Sequence, residues 1–376
     1  MVRRASGHTV SDIPAAESAY LRAALQAAAT ARAFLAWMER AAEQLAPQRV
    51  PELAAQCRVL HGSAVAATRV ALDASPAPPE LHAFAERFAA AFTHIVTAFE
   101  CFSRTTDAPP MHRITEILAA LHHAAAAQEC FYPLRQALSD FTDYWSLPDT
   151  HAAPDPPLQR ASDGSPLSGV VHVSAGARHG GFSLYVPETY TSERDWPLIV
   201  ALHGGSGNGR DFLWTWVREA KSLGYIVVAP KAVGNTWSEV EDAGLLEIIG
   251  WLRQRYHLAA NSILLTGLSD GATFTLLYGL AHPEIYRALA PLCGVLHPAS
   301  ANPSNLALAR NVPIYLVHGA QDFLFPVELA RLARDMLQAA GAALVYRELP
   351  ELSHTYPRSE NVRILRWFES LPAASA

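Results

Sequence analysis

The stretch Leu264–Ala272 reads LLTGLSDGA and places a serine, Ser269, between two glycines in a G-x-S-x-G pattern. It lies between an apolar run that is typical of a buried strand, Ser262–Thr266, and a helical pattern over residues 270–281. A nucleophile at such a strand-to-helix turn adopts a strained backbone conformation, and the flanking glycines keep side chains from colliding there. The pattern therefore predicts that Ser269 is a nucleophile at the carboxyl end of a strand.

Short β-rich runs alternate with helical runs on both sides of this turn. This alternation is typical of a mostly parallel sheet that is covered by helices on both faces. The first two of eight predicted strands are joined closely enough to form an antiparallel entry to the sheet. The strands are Val170–Val173, Phe182–Val186, Leu198–Leu202, Ile226–Ala229, Ser262–Thr266, Ala288–Leu292, Ile314–Val317 and Leu344–Glu348. The predicted helices are residues 209–222, 237–256, 270–281, 325–340 and 358–370.

Two residues that follow late strands complete a possible relay to the serine. Asp322 comes just after the strand at residues 314–317, and His354 comes after the last strand. The chain order serine, acid, histidine is the one that this type of turn requires. Glu351 is an alternative acid because it is close to His354 in the sequence. We predict Ser269 as nucleophile, His354 as base and Asp322 as the acid that orients it, because open α/β sheets place their sites at the carboxyl ends of strands.

A glycine-rich segment, Leu202–Gly207 (LHGGSG), follows the apolar strand at residues 198–202. A loop of this kind can bind a phosphate, but the spacings of a P-loop and of a dinucleotide-binding fingerprint are both missing. Glycines also let backbone N–H groups approach a negatively charged oxygen that develops during a reaction. The segment therefore favours an oxyanion-binding role.

The front of the chain has a different composition. Only Gly7 and Gly62 of the 21 glycines lie in residues 1–150, which are rich in alanine. Apolar residues recur at three- and four-residue spacings and predict four helices over residues 15–45, 50–73, 79–104 and 111–146. Residues 147–168 contain five prolines and predict a linker. The expected domains are a helical bundle at residues 1–146, this linker, and an α/β domain at residues 169–376.

Composition and charge exclude several classes of protein. The formal net charge is −6, so the chain lacks the basic surface that nucleic-acid binding needs. The four cysteines show no C-x-x-C spacing and predict reduced thiols. No secretory signal is recognisable, and no 18-residue apolar run is free of charges and proline. These features predict a cytoplasmic protein without a membrane span, and no metal motif is evident.

Residues 170–372 resemble the α/β-hydrolase superfamily and, more narrowly, its phospholipase/carboxylesterase branch of serine esterases. The stretches that carry the resemblance are Leu202–Gly205, Gly267–Ala272, His318–Asp322 and Ser353–His354. The helical front lies outside it. The expected fold is an α/β-hydrolase with a doubly wound, mostly parallel, eight-stranded sheet, preceded by an all-α domain that resembles a four-helix bundle.

The resemblance implies hydrolysis of carboxylic esters by a Ser-His-Asp triad through an acyl-enzyme, without a cofactor. In this family the loop after the third strand and the residue after the nucleophile donate backbone N–H groups to the oxyanion. The resemblance therefore assigns the oxyanion hole to Gly204, Gly205 and Asp270.

Trp237, Phe323 and Tyr356 border the expected site loops and are candidate pocket residues.

The expected partner is a small-molecule or lipid-like ester. A thioesterase or lysophospholipase with the same triad is an alternative, and a catalytically inactive interaction protein with a hydrolase fold is a third reading. An oligomer formed through the helical domain is left open.

Overall fold

The computed structural model describes residues 15–104, 110–148, 167–176 and 179–372. The chain divides into two compact units. The first contains the residues up to 42 together with residues 47–147. The second contains residues 43–46 together with the residues from 148 onward. The predicted linker at residues 147–168 falls mainly on residues 149–166, which lie outside the described residues.

The first unit is all-helical, as predicted. Its long helices are α1 (Ala15–Glu43), α2 (Val50–Asp73), α3 (His82–Ser103) and α4 (Pro110–Phe131), followed by the short α5 (Ser139–Thr142). The fourth predicted helix is too long, because α4 ends at Phe131 and a single 3-10 turn, Tyr132–Leu134, follows it. Pro133 explains the difference, since proline lacks the N–H that a helix needs and clashes with the preceding turn.

Aromatic side chains fill the core of the helical unit. Phe88 is 1% exposed, and its ring contacts that of Phe131 edge-on at 5.5 Å between centroids. Phe84 stacks on Phe88 at 5.6 Å. The stripe of phenylalanines on α3 therefore serves packing between helices, as its helical spacing suggests.

The second unit is built on one eight-stranded sheet, and the prediction of a mostly parallel sheet is confirmed. The strand order is β1-β2-β4-β3-β5-β6-β7-β8, and β2 runs antiparallel to both β1 and β4, whereas all other neighbours are parallel. The strands are β1 (Gly169–Val173), β2 (Phe182–Val186), β3 (Trp196–Leu202), β4 (Ile226–Pro230), β5 (Leu258–Leu268), β6 (Ala288–Leu292), β7 (Pro313–Gly319) and β8 (Ala343–Leu349). The central strands are buried along nearly their whole length, which suits their continuous apolar sequences.

Helices follow the strands of this unit. They are α6 (Gly209–Leu213), α7 (Val217–Leu223), α8 (Asp242–Arg253), α9 (Asp270–Ala281), α10 (Pro303–Leu306), α11 (Val327–Ala339) and α12 (Asn361–Ser370). The single helix predicted at residues 209–222 is wrong, because α6 and α7 are separate. The hydroxyl of Thr215 donates to the carbonyl of Phe212 at 2.7 Å and so competes with the helical hydrogen bonds at the break. The helix predicted from residue 237 begins only at Asp242.

The sheet brings distant loops to one edge. Because β3, β5, β7 and β8 are parallel, the loops that follow their last residues lie at the same edge of the sheet. These loops hold the glycine-rich segment, Ser269, Asp322 and His354, respectively. Within the described residues, none of the helices has an apolar segment of the length needed to cross a membrane.

Candidate active site

Ser269 occupies a strained turn between β5 and α9. Its φ angle is 56° and its ψ angle is −115°, a combination that L residues rarely adopt and that costs about 1–3 kcal/mol. The backbone N–H of Ser269 donates to the carbonyl of Leu292 at 2.9 Å, which holds the turn against β6. Ser269 precedes the first turn of α9, yet its hydroxyl does not cap that helix. The hydroxyl is therefore available for another partner.

The two glycines of the motif are required by close packing of backbone. A Cβ at Gly267 would lie 2.5 Å from the carbonyl carbon and oxygen of Gly271. A Cβ at Gly271 would lie 2.5 Å from the carbonyl oxygens of Leu202 and His203. A side chain at Gly267 would force the end of β5 away from the start of α9, and one at Gly271 would force α9 away from β3, so the glycines allow the strained serine to form.

Three side chains from three loops form a hydrogen-bonded chain. Nε2 of His354 lies 2.7 Å from Oγ of Ser269, and Nδ1 of His354 lies 2.8 Å from Oδ2 of Asp322. An ionised carboxylate only accepts hydrogen bonds, so Nδ1–H donates to Asp322. Nε2 of the neutral imidazole is then an acceptor for the hydroxyl proton of Ser269. The structure thus brings together the three residues that chain order and position after strands group in the sequence.

The carboxylate of Asp322 is buried and fully engaged. Its side chain is 0% exposed, and Oδ1 accepts the backbone N–H groups of Leu324 and Phe325 at 2.9 and 2.8 Å. Its Oδ2 also faces Nε2 of His318 at 3.4 Å. These contacts hold the carboxylate in the position from which its Oδ2 reaches Nδ1 of His354. Glu351, the alternative acid, is exposed.

His318 is the residue of this site that the sequence analysis missed. Its side chain is 0% exposed, and Nε2 donates to the carbonyl of Phe325 at 2.8 Å. This bond requires a proton on Nε2, so the same N–H edge faces Asp322. The signal in the sequence is the i, i+4 spacing between His318, near the end of β7, and Asp322, in the loop after it, which only the turn geometry makes meaningful.

The loop that carries His354 packs on a buried thiol. Sγ of Cys293 lies 3.5 Å from the carbonyl of Thr355, and burial raises the pKa of this thiol to about 12. The thiol is therefore protonated at neutral pH and acts as packing beneath the loop. The ring of Phe325 contacts the imidazole of His354 edge-on, with centroids 5.2 Å apart.

The glycine-rich segment lies against the serine turn. A Cβ at Gly204 would be 3.5 Å from Cβ of Ser269, and a Cβ at Gly205 would be 3.8 Å from Cβ of Asp270. The carbonyl of Gly204 accepts from Nδ1 of His203 at 2.7 Å and from the N–H of Gly207 at 3.0 Å. Because N–H and C=O point in opposite directions across a trans peptide, the N–H of Gly205 points away from the His203 ring.

His203 braces this segment through both ring nitrogens. Nδ1–H donates to Gly204, and Nε2 accepts the backbone N–H of Ala232 at 3.2 Å. Burial lowers the pKa of His203, which favours the neutral ring that this pair of bonds requires.

The candidate pocket residues occupy three different environments. Trp237 is 6% exposed and belongs to the hydrophobic core, where its indole N–H donates to the carbonyl of His203 at 2.7 Å. The hydroxyl of Tyr356 donates to Asn361 at 2.8 Å, and its ring packs edge-on against Phe212 at 5.3 Å. Phe323 is 47% exposed, with its ring centroid 6.4 Å from that of His354. Phe323 is thus the candidate that presents an open apolar surface beside the relay.

Asp270 links the serine turn to a neighbouring loop. Its Oδ2 accepts the backbone N–H of Trp237 at 2.7 Å. The carboxylate of Asp270 lies in the first turn of α9, and its hydrogen bond to Trp237 adds a contact that the sequence does not predict. In the part of the chain that the structure describes, no three His, Cys, Asp or Glu side chains are grouped to bind a metal ion.

Comparison with protein families identifies a match in the second unit. Residues 245–369 match the family model described as phospholipase/carboxylesterase, which confirms the resemblance over this range. The match includes Ser269, Asp322 and His354 but not the N-terminal helices. A search of curated proteins found no match to the sequence.

Several solved structures are similar to part of the chain. A thermostable esterase is 23% identical with a TM-score of 0.45, over 53% of this chain and 62% of its own. An acetyl xylan esterase from Aspergillus awamori is 16% identical with a TM-score of 0.42, over 54% of this chain and 99% of its own. An S-formylglutathione hydrolase from Agrobacterium tumefaciens is 16% identical with a TM-score of 0.45, over 56% of this chain and 97% of its own. This chain therefore spans less than two thirds of the thermostable esterase, and identities this low do not indicate a shared substrate.

Proposed function

We propose that this protein is a serine hydrolase that cleaves carboxylic esters through an acyl-enzyme intermediate. The observation that carries the proposal is the continuous relay of Ser269, His354 and Asp322, with hydrogen bonds of 2.7 and 2.8 Å. The match of residues 245–369 to the phospholipase/carboxylesterase family supports the same reaction class.

In the first half of the reaction, Oγ of Ser269 attacks the ester carbonyl while Nε2 of His354 takes its proton. The imidazolium that forms is stabilised by the buried carboxylate of Asp322, which remains ionised. The protonated His354 then donates its proton to the departing alkoxide, and the acyl group stays on Ser269 as an ester.

The negative charge on the carbonyl oxygen needs donors during this step. We assign the oxyanion hole to the glycine-rich segment at Gly204 and Gly205 and to the backbone N–H of Asp270. The approach of the segment to Ser269 and the orientation of the Gly204–Gly205 peptide support this role. Each such donor contributes about 3 kcal/mol to transition-state stabilisation.

The second half of the reaction uses the same groups on water. His354 removes a proton from a water molecule as it attacks the acyl carbon, and then returns a proton to Oγ of Ser269. The acid is released and the relay is restored. Every step is a proton transfer or acyl transfer, so no redox group is needed.

A fluorophosphonate probe tests the proposal directly, because it forms a stable covalent bond only with an activated serine. We expect labelling of the wild type and complete loss of labelling in Ser269→Ala. Ser370→Ala is the matched control, since Ser370 is exposed at the end of α12 and its hydroxyl donates to the carbonyl of Trp367 rather than to the relay. An unlabelled wild type, or equal labelling of Ser269→Ala, would contradict the proposal and would leave the inactive interaction protein as the better reading.

A Ser-His-Asp triad can also hydrolyse thioesters and lysophospholipids, which are the alternative substrates for this protein. A panel of p-nitrophenyl esters of increasing acyl length, together with matched acyl thioesters, separates these alternatives from a short-chain carboxylesterase. We expect the highest kcat/KM on oxygen esters; a higher value on thioesters or long acyl chains would reassign the substrate class without changing the mechanism.

A further inference from the structure

Phe323 is unusual because its large apolar side chain is exposed beside the candidate active site. The protein has 14 phenylalanines, all within the described residues, and Phe323, at 47%, is the one whose side chain is exposed. The next residue, Leu324, is 57% exposed. Together they form an open apolar surface, and the ring centroid of Phe323 lies 6.4 Å from that of the His354 imidazole.

The turn that presents Phe323 is closed by the carboxylate of Asp322. Oδ1 of Asp322 accepts the N–H groups of both Leu324 and Phe325, which places Phe323 within a tight turn built on that side chain. The carbonyl of Phe325 is in turn held by Nε2 of His318. The backbone of Phe323 is thus held by the same carboxylate that orients His354, and a preorganised ring binds a ligand at lower entropic cost.

The chemistry of the relay determines which part of an ester meets this ring. During acylation the protonated Nε2 of His354 must reach the oxygen of the leaving alcohol. The carbonyl oxygen is instead directed to the N–H groups of Gly205 and Asp270. The alcohol portion of the ester therefore leaves along His354, on the side where Phe323 lies.

We infer that Phe323, with Leu324, forms the subsite for the alcohol portion of the substrate and selects esters whose alcohol carries an apolar or aromatic group. This inference rests on the proposed function and adds the side of the ester that the protein recognises. Aromatic contact with Phe323 raises kcat/KM for such esters by about tenfold, the size of discrimination that an apolar subsite provides.

Two isomeric esters test the inference. Benzyl acetate carries its ring on the alcohol, whereas methyl phenylacetate carries the same ring on the acyl group. We expect Phe323→Ala to lower kcat/KM about tenfold for benzyl acetate and at most about twofold for methyl phenylacetate. Leu332→Ala is the matched control, because Leu332 is 55% exposed on α11 and belongs to no part of the site.

The outcomes are distinct. Equal losses on both isomers, a larger loss on methyl phenylacetate, or no loss would each overturn the alcohol subsite while leaving the serine hydrolase in place. A wild type that hydrolyses neither isomer and is not labelled by the fluorophosphonate would overturn the proposed function and the inference together. An equal effect of Leu332→Ala would show that the loss reflects general surface apolarity, which also contradicts the subsite.

Discussion

Nε2 of His318 lies 3.4 Å from Oδ2 of Asp322, and both side chains are fully buried. The carboxylate therefore has two histidines on one oxygen, because His354 donates to the same Oδ2 at 2.8 Å. The two histidines contact different partners with their Nε2 atoms. His354 links the carboxylate to Ser269, whereas His318 ties it to the carbonyl of Phe325 and so to the turn after β7.

We expect His318→Leu to lose the hydrogen bond from Nε2 to the carbonyl of Phe325. The half-buried carbonyl of Phe325 would lose its donor, which lowers the free energy of unfolding by about 1 kcal/mol. His318→Gln is the matched variant, because an amide N–H can replace the donor. Urea unfolding and kcat/KM on p-nitrophenyl acetate check the pair, and equal behaviour of the two variants would contradict the role of the N–H group.

Asp322→Asn tests the orientation of His354 without changing the size of the side chain. The amide can donate to Nδ1 of His354, which would place the proton on Nε2 and remove the acceptor for Ser269. We expect kcat to fall by about 10⁴-fold, as is typical when this tautomer is wrong. The measurement is the initial rate on p-nitrophenyl acetate; a loss under tenfold would show that Asp322 is not the orienting acid.

Gly271→Ala tests the close approach of the serine turn to β3. The new Cβ would lie 2.5 Å from two backbone carbonyl oxygens, so we expect the free energy of unfolding to fall by about 1–3 kcal/mol. Gly250→Ala is the control, because nothing lies within 4 Å of its Cβ position on α8, and alanine there stabilises the helix by about 0.5–1 kcal/mol. Thermal unfolding of both variants should therefore shift in opposite directions.

The lowered pKa of the buried His203 should make the free energy of unfolding depend on pH. Burial lowers its pKa from 6.5 in the folded protein, so the unfolded chain binds a proton at a higher pH than the folded chain does. The free energy of unfolding should therefore fall as the pH drops below about 6.5, by up to about 1.4 kcal/mol per pH unit for this group.

Urea titrations between about pH 5 and pH 8 measure this slope. His203→Gln should make the slope shallower without abolishing it, since burial also lowers the pKa values of His61 and His94. A slope that is unchanged in the variant would contradict the assignment to His203.

The buried thiols predict resistance to alkylation. Burial raises the pKa values of Cys57 and Cys293 to about 12, so almost no thiolate is present at neutral pH. Iodoacetamide should leave both residues unmodified in the folded protein and leave ester hydrolysis unchanged. Peptide mass spectrometry with and without urea checks this result; rapid modification of Cys293 with loss of activity would show that the loop of His354 opens readily.

Local sequence determined much of this protein. The alternation of strands and helices, the helical front and the G-x-S-x-G turn all follow from the spacing of residues that are close in the chain. A serine between Gly267 and Gly271, after an apolar strand, predicts a strained turn, and within that turn Gly267 and Gly271 approach too closely for a Cβ at Gly267. The order of Ser269, Asp322 and His354 similarly predicts the relay, since each follows a strand.

Only the tertiary structure decided which distant residues touch. Ser269 and His354 are 85 residues apart, and the contact of their side chains depends on the position of β8 beside β7 and of β6 between β5 and β7. The burial of Trp237, whose indole N–H donates to the carbonyl of His203, depends on the same strand order, whereas the contacts of His318 and Asp322 form locally within residues 318–325. Alternating patterns in a sequence specify strands but not their neighbours, so the polar contacts and the apolar surface of the site emerge only when the sheet assembles.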